Sequence, residues 1–496
     1  MRLKLASRKS DLARWQAHKV ARALEALPEQ PHVEFQFKSS FGDQNLDIPL
    51  AGMGARGVFT EDFYEDLKEG HCDLVVHSWK DLPVEDRQGT KISMTLPRAD
   101  IRDALFIPED VWQKALKTKK LTVFTSSPRR VYNLGPVLPK LLPGHLEIEF
   151  KNIRGNVPTR LKKMHDEKGG LILAKAGLDR LLEAEAENFT EESVRRLIKD
   201  CRFLVLPISL NPPAPAQGAL AIEISAANGV MNSLSAQLND ETTYNCVQEE
   251  RKILAGYGGG CHQKIGVARV LKPYGMVKSL RGQTDSGEIL NEWKIENFTP
   301  WSRAAHADKI FPLKAKDNSW FERKPLKGDF DFSAVDGLFV ARAEALPAKV
   351  KPATEQIVWT AGVQTWIKLA ERGVFVNGCL DSLGENEELG IEWICDSRKE
   401  LVKLTHGGGD KSSQFNAATY ELIPKKETPD LKGKTHFFWM SRTSFQQALL
   451  KFPEEIRTGH HACGPGRTYE FLKSAGLSRP VKVFIGLEQF LDETVP

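Results

Sequence analysis

This chain predicts an α/β protein made of several sheet-and-helix units, followed by a C-terminal third of different pattern. Three observations point there. Short apolar strands alternate with amphipathic helices from the first residues onward. Arginines recur where those strands end. A proline-rich passage, Pro207 to Gln217, precedes one more strand at Ala219–Glu223, as expected of a chain crossing back through a hinge into an earlier unit.

Leu3 to Ala6 reads as the first strand. Ser7-Arg8-Lys9-Ser10 is a turn, with Ser10 the N-cap of a helix whose apolar face is Leu12, Trp15, Val20, Ala23, Leu24 and Leu27. Val33–Phe37 alternates as a second strand. Strand, helix, strand is a parallel unit, and ligands of such sheets gather at the carboxyl ends of strands, where Arg8 falls. Residues 51–59, ending in Phe59, form a glycine-rich loop without a phosphate-loop ending, suited to a lid. Thr60 caps the next helix, which ends at Gly70. Asp73–Val76 is a buried strand that runs into His77-Ser78-Trp79-Lys80-Asp81-Leu82-Pro83. A carboxylate at that strand end, Asp81, can stabilise a cationic intermediate or take a ring N–H proton, with Lys80 beside it. A local turn bond is its plainer role.

A second unit starts near residue 103. Leu121–Phe124 is a strand, and Thr125-Ser126-Ser127-Pro128-Arg129-Arg130 opens a helix with proline at its first position. Free backbone N–H groups, hydroxyls and two guanidiniums would converge there on an anion. Leu146–Phe150 leads into Asn152-Ile153-Arg154-Gly155-Asn156-Val157-Pro158-Thr159-Arg160, and Gly170–Ala174 into Gly177-Leu178-Asp179-Arg180. Arginines at so many strand ends (Arg8, Arg129, Arg130, Arg154, Arg160 and Arg180) imply a cleft for several carboxylates or phosphates, which guanidinium grips bidentately.

Gly256-Tyr257-Gly258-Gly259-Gly260-Cys261-His262-Gln263 sets a thiol among four glycines, on a loop with close chain approach. Beside His262 and Lys264 that thiol is placed to be reactive, although an idle cysteine on a flexible loop has the same sequence. Net charge is +4, too small to argue for nucleic acid or membrane. The seven scattered cysteines form no C-x-x-C pair, which argues against a disulfide framework or structural zinc and for a reducing compartment. No long apolar run follows Met1, so neither a signal peptide nor a membrane span is expected, and the cytoplasm is the expected location.

Arg8-Lys9-Ser10, the 76–83 and 125–130 segments, Arg154 to Arg160 and Gly259-Gly260-Cys261 together resemble hydroxymethylbilane synthase (porphobilinogen deaminase), in order and spacing, over about the first 300 residues. The resemblance implies two periplasmic-binding-protein-like domains (1–102 with 206–228, and 103–205) and a small α+β domain (229–300). It implies a dipyrromethane cofactor joined to Cys261 by a thioether, onto which four porphobilinogen units are deaminated and added before release as hydroxymethylbilane. Asp81 would be catalytic. Asp81, Arg8, Ser10, Lys80, Thr125, Ser126, Ser127, Arg129, Arg130, Arg154 and Arg160 would hold the cofactor, and Arg8, Phe59, Arg154, Arg180 and Gln217 would meet substrate. Gly52 and Arg56 stand where bacterial members carry lysines. No nucleic-acid or membrane partner is implied, and a monomer is expected.

From about residue 301 the pattern changes. Thr365-x3-Leu369-x3-Gly373 recurs as Thr468-x3-Leu472-x3-Gly476, each after a glycine turn and with an apolar strand upstream, Leu338–Val340 and Phe437–Trp439. Two similar α/β halves follow from this. With Ala417–Leu422 and Cys463–Thr468 the region, 301–496, resembles uroporphyrinogen-III synthase, whose functionally important tyrosine would be Tyr420. That resemblance implies cyclisation of hydroxymethylbilane to uroporphyrinogen III. His460-His461-x-Cys463 has metal-ligand character but lacks a fourth ligand. Two other readings stay open: a two-lobed binding protein for an acidic ligand, and a synthase whose C-terminal module is not catalytic.

Overall fold

The computed structural model describes residues 1–38, 61–85, 87–190, 193–259, 263–407 and 416–496. The chain forms two compact units. The first is Met1–Pro139, Leu146–Arg269 and Ser279–Asn291; the second is Lys140–His145, Val270–Lys278 and Glu292–Pro496.

In chain order the strands are β1 (Arg2–Arg8), β2 (His32–Lys38), β3 (Leu74–Ser78), β4 (Thr90–Met94), β5 (Asp103–Pro108), β6 (Lys120–Phe124), β7 (Glu147–Lys151), β8 (Gly170–Ala174), β9 (Cys201–Val205), β10 (Leu220–Ser225), β11 (Gly266–Lys272), β12 (Gly275–Gln283) and β13 (Ile289–Glu296). There follow β14 (Ile310–Phe311), β15 (Phe321–Pro325), β16 (Gly337–Val340), β17 (Ile357–Thr360), β18 (Gly378–Cys379), β19 (Leu401–His406), β20 (Asn416–Pro424), β21 (His436–Trp439), β22 (His460–Cys463) and β23 (Lys482–Val483).

The first sheet runs β2-β1-β3-β10-β4 and the second β7-β6-β8-β5-β9. They share one plan. The strand that starts each unit's strand-helix-strand pattern, β1 or β6, has a parallel neighbour on either side. The fourth strand in each order, β10 or β5, is antiparallel to both of its neighbours. The chain passes between the two sheets twice, through residues 95–102 and 206–219. Apolar alternation on β1, β3 and β10 and the inward face of helix Asp11–Glu25 build one core, from Leu5, Val20, Leu24, Leu74, Val76, Ile222 and Ile224. Ser10 caps that helix, accepting from Ala13 N at 3.4 Å. Helix Gly229–Leu238 adds Met231 and Leu234 to the same core. β5 is buried at every position, as a strand covered on both faces must be. The three-stranded sheet β11-β12-β13 completes this part, and the division between the units runs through its strands.

The second unit holds a six-stranded sheet, β15-β20-β19-β16-β17-β18, and a four-stranded one, β14-β21-β22-β23. Every pairing in the first is parallel except β15 with β20. The pairs of the second are all parallel. Helices Val363–Glu371 and Arg467–Lys473 start after Gly362 and Gly466, which follow β17 and β22. The apolar segments Leu338–Val340 and Phe437–Trp439 are strands upstream of those turns, β16 and β21, and one further strand stands between each and its turn. Helices Arg442–Lys451 and Pro453–Thr458 and then β22 stand between β21 and Gly464. Among the described residues no helix is long and apolar enough to cross a membrane.

Candidate active site

Asp81 sits at the end of a rigid support. β3 is buried along Leu74–His77, and a single 3-10 turn, Trp79–Asp81, carries the chain out of the sheet. Trp79 is packed against Ala216, Ala219 and Val247. Beneath the turn, His77 Nε2 lies 2.9 Å from Glu223 Oε2, and Thr90 Oγ1 donates to Glu223 at 2.6 Å. Beyond the turn, Arg251 donates to the carbonyls of Leu82, at 3.2 Å, and Pro83. Fixed from both sides, the Asp81 carboxylate stands exposed while Lys80 is half-buried. Burial pulls the Lys80 ammonium below its ordinary pKa; Asp81 and Asp103 oppose that, and Arg130 and Arg129 add to it.

Arg129 and Arg130 meet an unforeseen partner. Asp103, fully buried at the start of β5, accepts from Arg129 Nη2 at 2.9 Å and from Arg130 Nε and Nη2 at 3.0 and 2.7 Å. Asn211 and Gln217 donate to the same carboxylate at 2.8 and 2.9 Å. Burial would raise the Asp103 pKa, but the two guanidiniums and these hydrogen bonds hold it well below the carboxylate range. Arg129 Nη1 also donates to Asn211 and to Pro212 O, and Arg130 Nη1 to Ile172 O. The two arginines are thus anchored inside the protein as well as sited at the helix start. Their signal was available in the sequence: a lone acid in the otherwise apolar run Asp103-Ala-Leu-Phe-Ile.

The remaining residues divide by what already holds them. Arg160 Nε donates to Gly155 O at 2.7 Å; burial and Arg130 lower its pKa while Asp81 raises it, so Arg160, Arg130 and Asp81 lie within electrostatic reach of one another. Arg154 is exposed and Arg8 half-buried at the end of β1. Thr125 Oγ1 accepts from Ser127 N, and Ser126 exchanges hydrogen bonds with the backbone of Ile153. Ser127 precedes helix Pro128–Leu134 without a side-chain cap bond, leaving its hydroxyl uncommitted to the helix. Gln217 donates to Ile101 O as well as to Asp103, and Arg180 Nη2 to Gly218 O at 2.6 Å. Burial lowers Arg180 to about 10. These last two tie the inter-sheet crossings. At Gly218, φ +90°, a Cβ would lie 2.6 Å from Ala99 O, so glycine lets the crossings touch. Tyr420 is half-buried on β20 in the second unit. Cys261, Phe59, Gly52, Arg56 and the rest of the 51–59 loop lie outside the described residues. His460, His461 and Cys463 form β22; the His461 ring is hydrogen-bonded to Trp439 Nε1 and Ile456 O.

Residues 3–233 match the family model described as porphobilinogen deaminase, dipyromethane cofactor binding domain. A porphobilinogen deaminase of Moorella thermoacetica is 34% identical over 287 residues, covering 57% of this chain and 84% of that protein. That of Chromobacterium violaceum is 36% identical over 268 residues (54% and 79%), and that of Ruthia magnifica 34% over 322 (64% and 97%). The chain belongs to the porphobilinogen deaminase family. It is accordingly an enzyme, a hydroxymethylbilane synthase, and its cofactor is a dipyrromethane. For a porphobilinogen deaminase the described site has a fitting character: one exposed carboxylate at a strand end, with cationic side chains around it.

Proposed function

We propose that the first unit deaminates four porphobilinogen molecules and joins them into hydroxymethylbilane on a dipyrromethane held through the sulfur of Cys261, and that the C-terminal region cyclises this product to uroporphyrinogen III. The observation that carries the first part is the Asp81 carboxylate, exposed on a braced turn within electrostatic reach of Lys80 and Arg160. The residues suit an acidic dipyrrole on two further counts. Gly259, two positions before Cys261, packs so closely on Val84, three positions after Asp81, that a Cβ would lie 2.7 Å from Val84 Cγ2. Gln263 donates to Tyr257 O at 2.6 Å, and its buried Oε1 has no hydrogen-bond partner among the described residues, so it is free to accept an N–H.

When bound, the cofactor supplies the pyrrole position that accepts each new unit. Asp81 stabilises the positive charge that develops as ammonia leaves porphobilinogen, and it accepts pyrrole N–H groups. Arg8, Lys80, Arg154 and Arg160 hold the acetate and propionate side chains, while Arg129 and Arg130 supply field and positioning from their anchorage on Asp103. Ser127 adds a hydroxyl. The two inter-sheet crossings allow the cleft to adjust as the product lengthens.

Support for the C-terminal part is topological. Two mainly parallel sheets are joined through the antiparallel pair β15–β20, and a glycine turn starts a helix at the corresponding place in each. Tyr420 lies on the strand from which the chain returns to the four-stranded sheet.

Intact-mass measurement tests the first part. The purified protein is expected to carry two linked pyrroles, and Cys261→Ser to carry none. Asp81→Ala and Cys261→Ser are each expected to slow porphobilinogen consumption by about 100-fold or more. A bare thiol with full activity refutes the assignment. The isomer of uroporphyrinogen made by the protein alone tests the second part: type I product only, as formed without enzymic cyclisation, refutes it.

A further inference from the structure

The six-stranded sheet gathers positive charge at its carboxyl edge. Val340, the last residue of β16, pairs with Leu404 of β19; Arg342 follows Val340 by two residues, as His406 follows Leu404. His406 is the register partner of Tyr420 on β20, their ring centroids 6.0 Å apart. β15 runs antiparallel to β20, with Pro325 opposite Tyr420 and Arg323 opposite Leu422, one step further out. Arg342, His406, Tyr420 and Arg323 therefore share the edge at which α/β sheets receive ligands.

What distinguishes this group is that, among the described residues, no acid is ion-paired to its arginines. Lys403, on the same strand as His406, is matched by Glu385 at 2.5 Å, and Glu385 also takes Arg467 at 3.1 Å. Neither Arg323 nor Arg342 has an ion-pair partner among the described residues. Glu344 bears on Arg342, but it is exposed and pairs with Lys368 at 3.5 Å. Burial and then Arg323 lower the Arg342 pKa, against Tyr420 and Glu344; burial, Lys403 and Arg323 lower that of His406. A half-buried guanidinium within electrostatic reach of a second guanidinium, itself within reach of an imidazole, is unfavourable until an anion joins them.

We infer that Arg323 and Arg342, with His406 and Tyr420, form a subsite in the second unit that grips a carboxylate of its ligand. The arginines supply the bidentate grip, and the imidazole and phenol the remaining hydrogen bonds. That the ligand is a linear or cyclic tetrapyrrole rests on the function proposed for the C-terminal region; the anion subsite itself does not.

The test uses the full-length protein, with uroporphyrin III, a fluorescent octacarboxylate, as probe and inorganic phosphate as competitor. Arg342→Gln and Arg323→Gln are each expected to weaken uroporphyrin binding by about tenfold while porphobilinogen consumption by the first unit stays unchanged. Binding is expected to raise the pKa of His406, followed by NMR of labelled histidine, because a carboxylate opposes the shift that Arg323 imposes. Wild-type affinity in both variants, or an unmoved His406 at saturation, overturns the subsite. Full occupancy by millimolar phosphate, with no advantage to uroporphyrin, overturns the carboxylate assignment. Weakened binding in the variants of a protein that releases only type I product upholds the subsite and refutes cyclisation instead.

Discussion

Arginine is used in opposite ways in the two units. Arg129 and Arg130 converge on Asp103, a fully buried carboxylate that takes three of their hydrogen bonds. Arg323 and Arg342 stand at the end of a sheet with no acid paired to them among the described residues. The first arrangement has a buried acid and backbone carbonyls to hold its guanidiniums; the second has no acidic partner among the described residues. The difference teaches that an arginine at a strand end is not evidence of a ligand until its partner is known. A buried pair is strongly destabilised when one member is removed, whereas like charges held together are a cost to the free protein that a ligand offsets.

Three substitutions sharpen or break this contrast. The largest effect is expected from Asp103→Asn, which leaves two buried guanidiniums facing no negative charge. Chemical denaturation should show a loss of about 3–5 kcal/mol; an unchanged midpoint would mean that the arginines are not held as described.

Next comes Glu223→Gln, at the matched His77–Glu223 pair beneath the Asp81 turn. Burial pushes the Glu223 pKa up, but hydrogen bonds from His77 and Thr90 and the charges of His77 and Arg87 outweigh it, so the net shift is downward. The folded state therefore favours the carboxylate. Its stabilisation is complete above the unfolded-state value of about 4.3 and is lost as pH falls through the lower folded value. At neutral pH the variant should be less stable by about 1.5–3 kcal/mol, with the gap to wild type closing in acid. A gap that widens below pH 4 would contradict this.

The smallest effect has the opposite sign. Arg342→Gln, without ligand, should stabilise the protein by about 0.5 kcal/mol by relieving like-charge repulsion. Destabilisation on thermal unfolding would place Arg342 among the matched arginines.

Local structure was legible where the pattern was strong. The helix behind Ser10 and the strand leading to Asp81 follow from apolar spacing and a capping side chain, which act within a few residues. What the sequence did not disclose is long-range. Asp103 and Arg130 are 27 positions apart: a lone acid in an apolar run says that it needs a partner, but not which one. Six arginines looked equivalent in the sequence, yet Arg180 and Arg129 bind backbone carbonyls inside the protein, and Gln217 holds Asp103 in place. β22 escaped notice because it opens with two histidines that suggested a metal ligand set. The unmatched arginines were missed because Arg323 and Arg342 become neighbours only through the pairing of β15, β20, β19 and β16.

The placement of β10 bears on how the chain is made. It lies between β3 and β4, with Leu220 opposite Ser78 and Ile222 opposite Met94. An interior strand of the first sheet thus comes from residues that leave the ribosome after the whole second sheet has been translated. At about 5–20 residues per second, β4 would wait several seconds for the strand it pairs with. During that interval two strand edges stand open, so a nascent chain halted near residue 205 should be the species that chaperones hold and proteases cut.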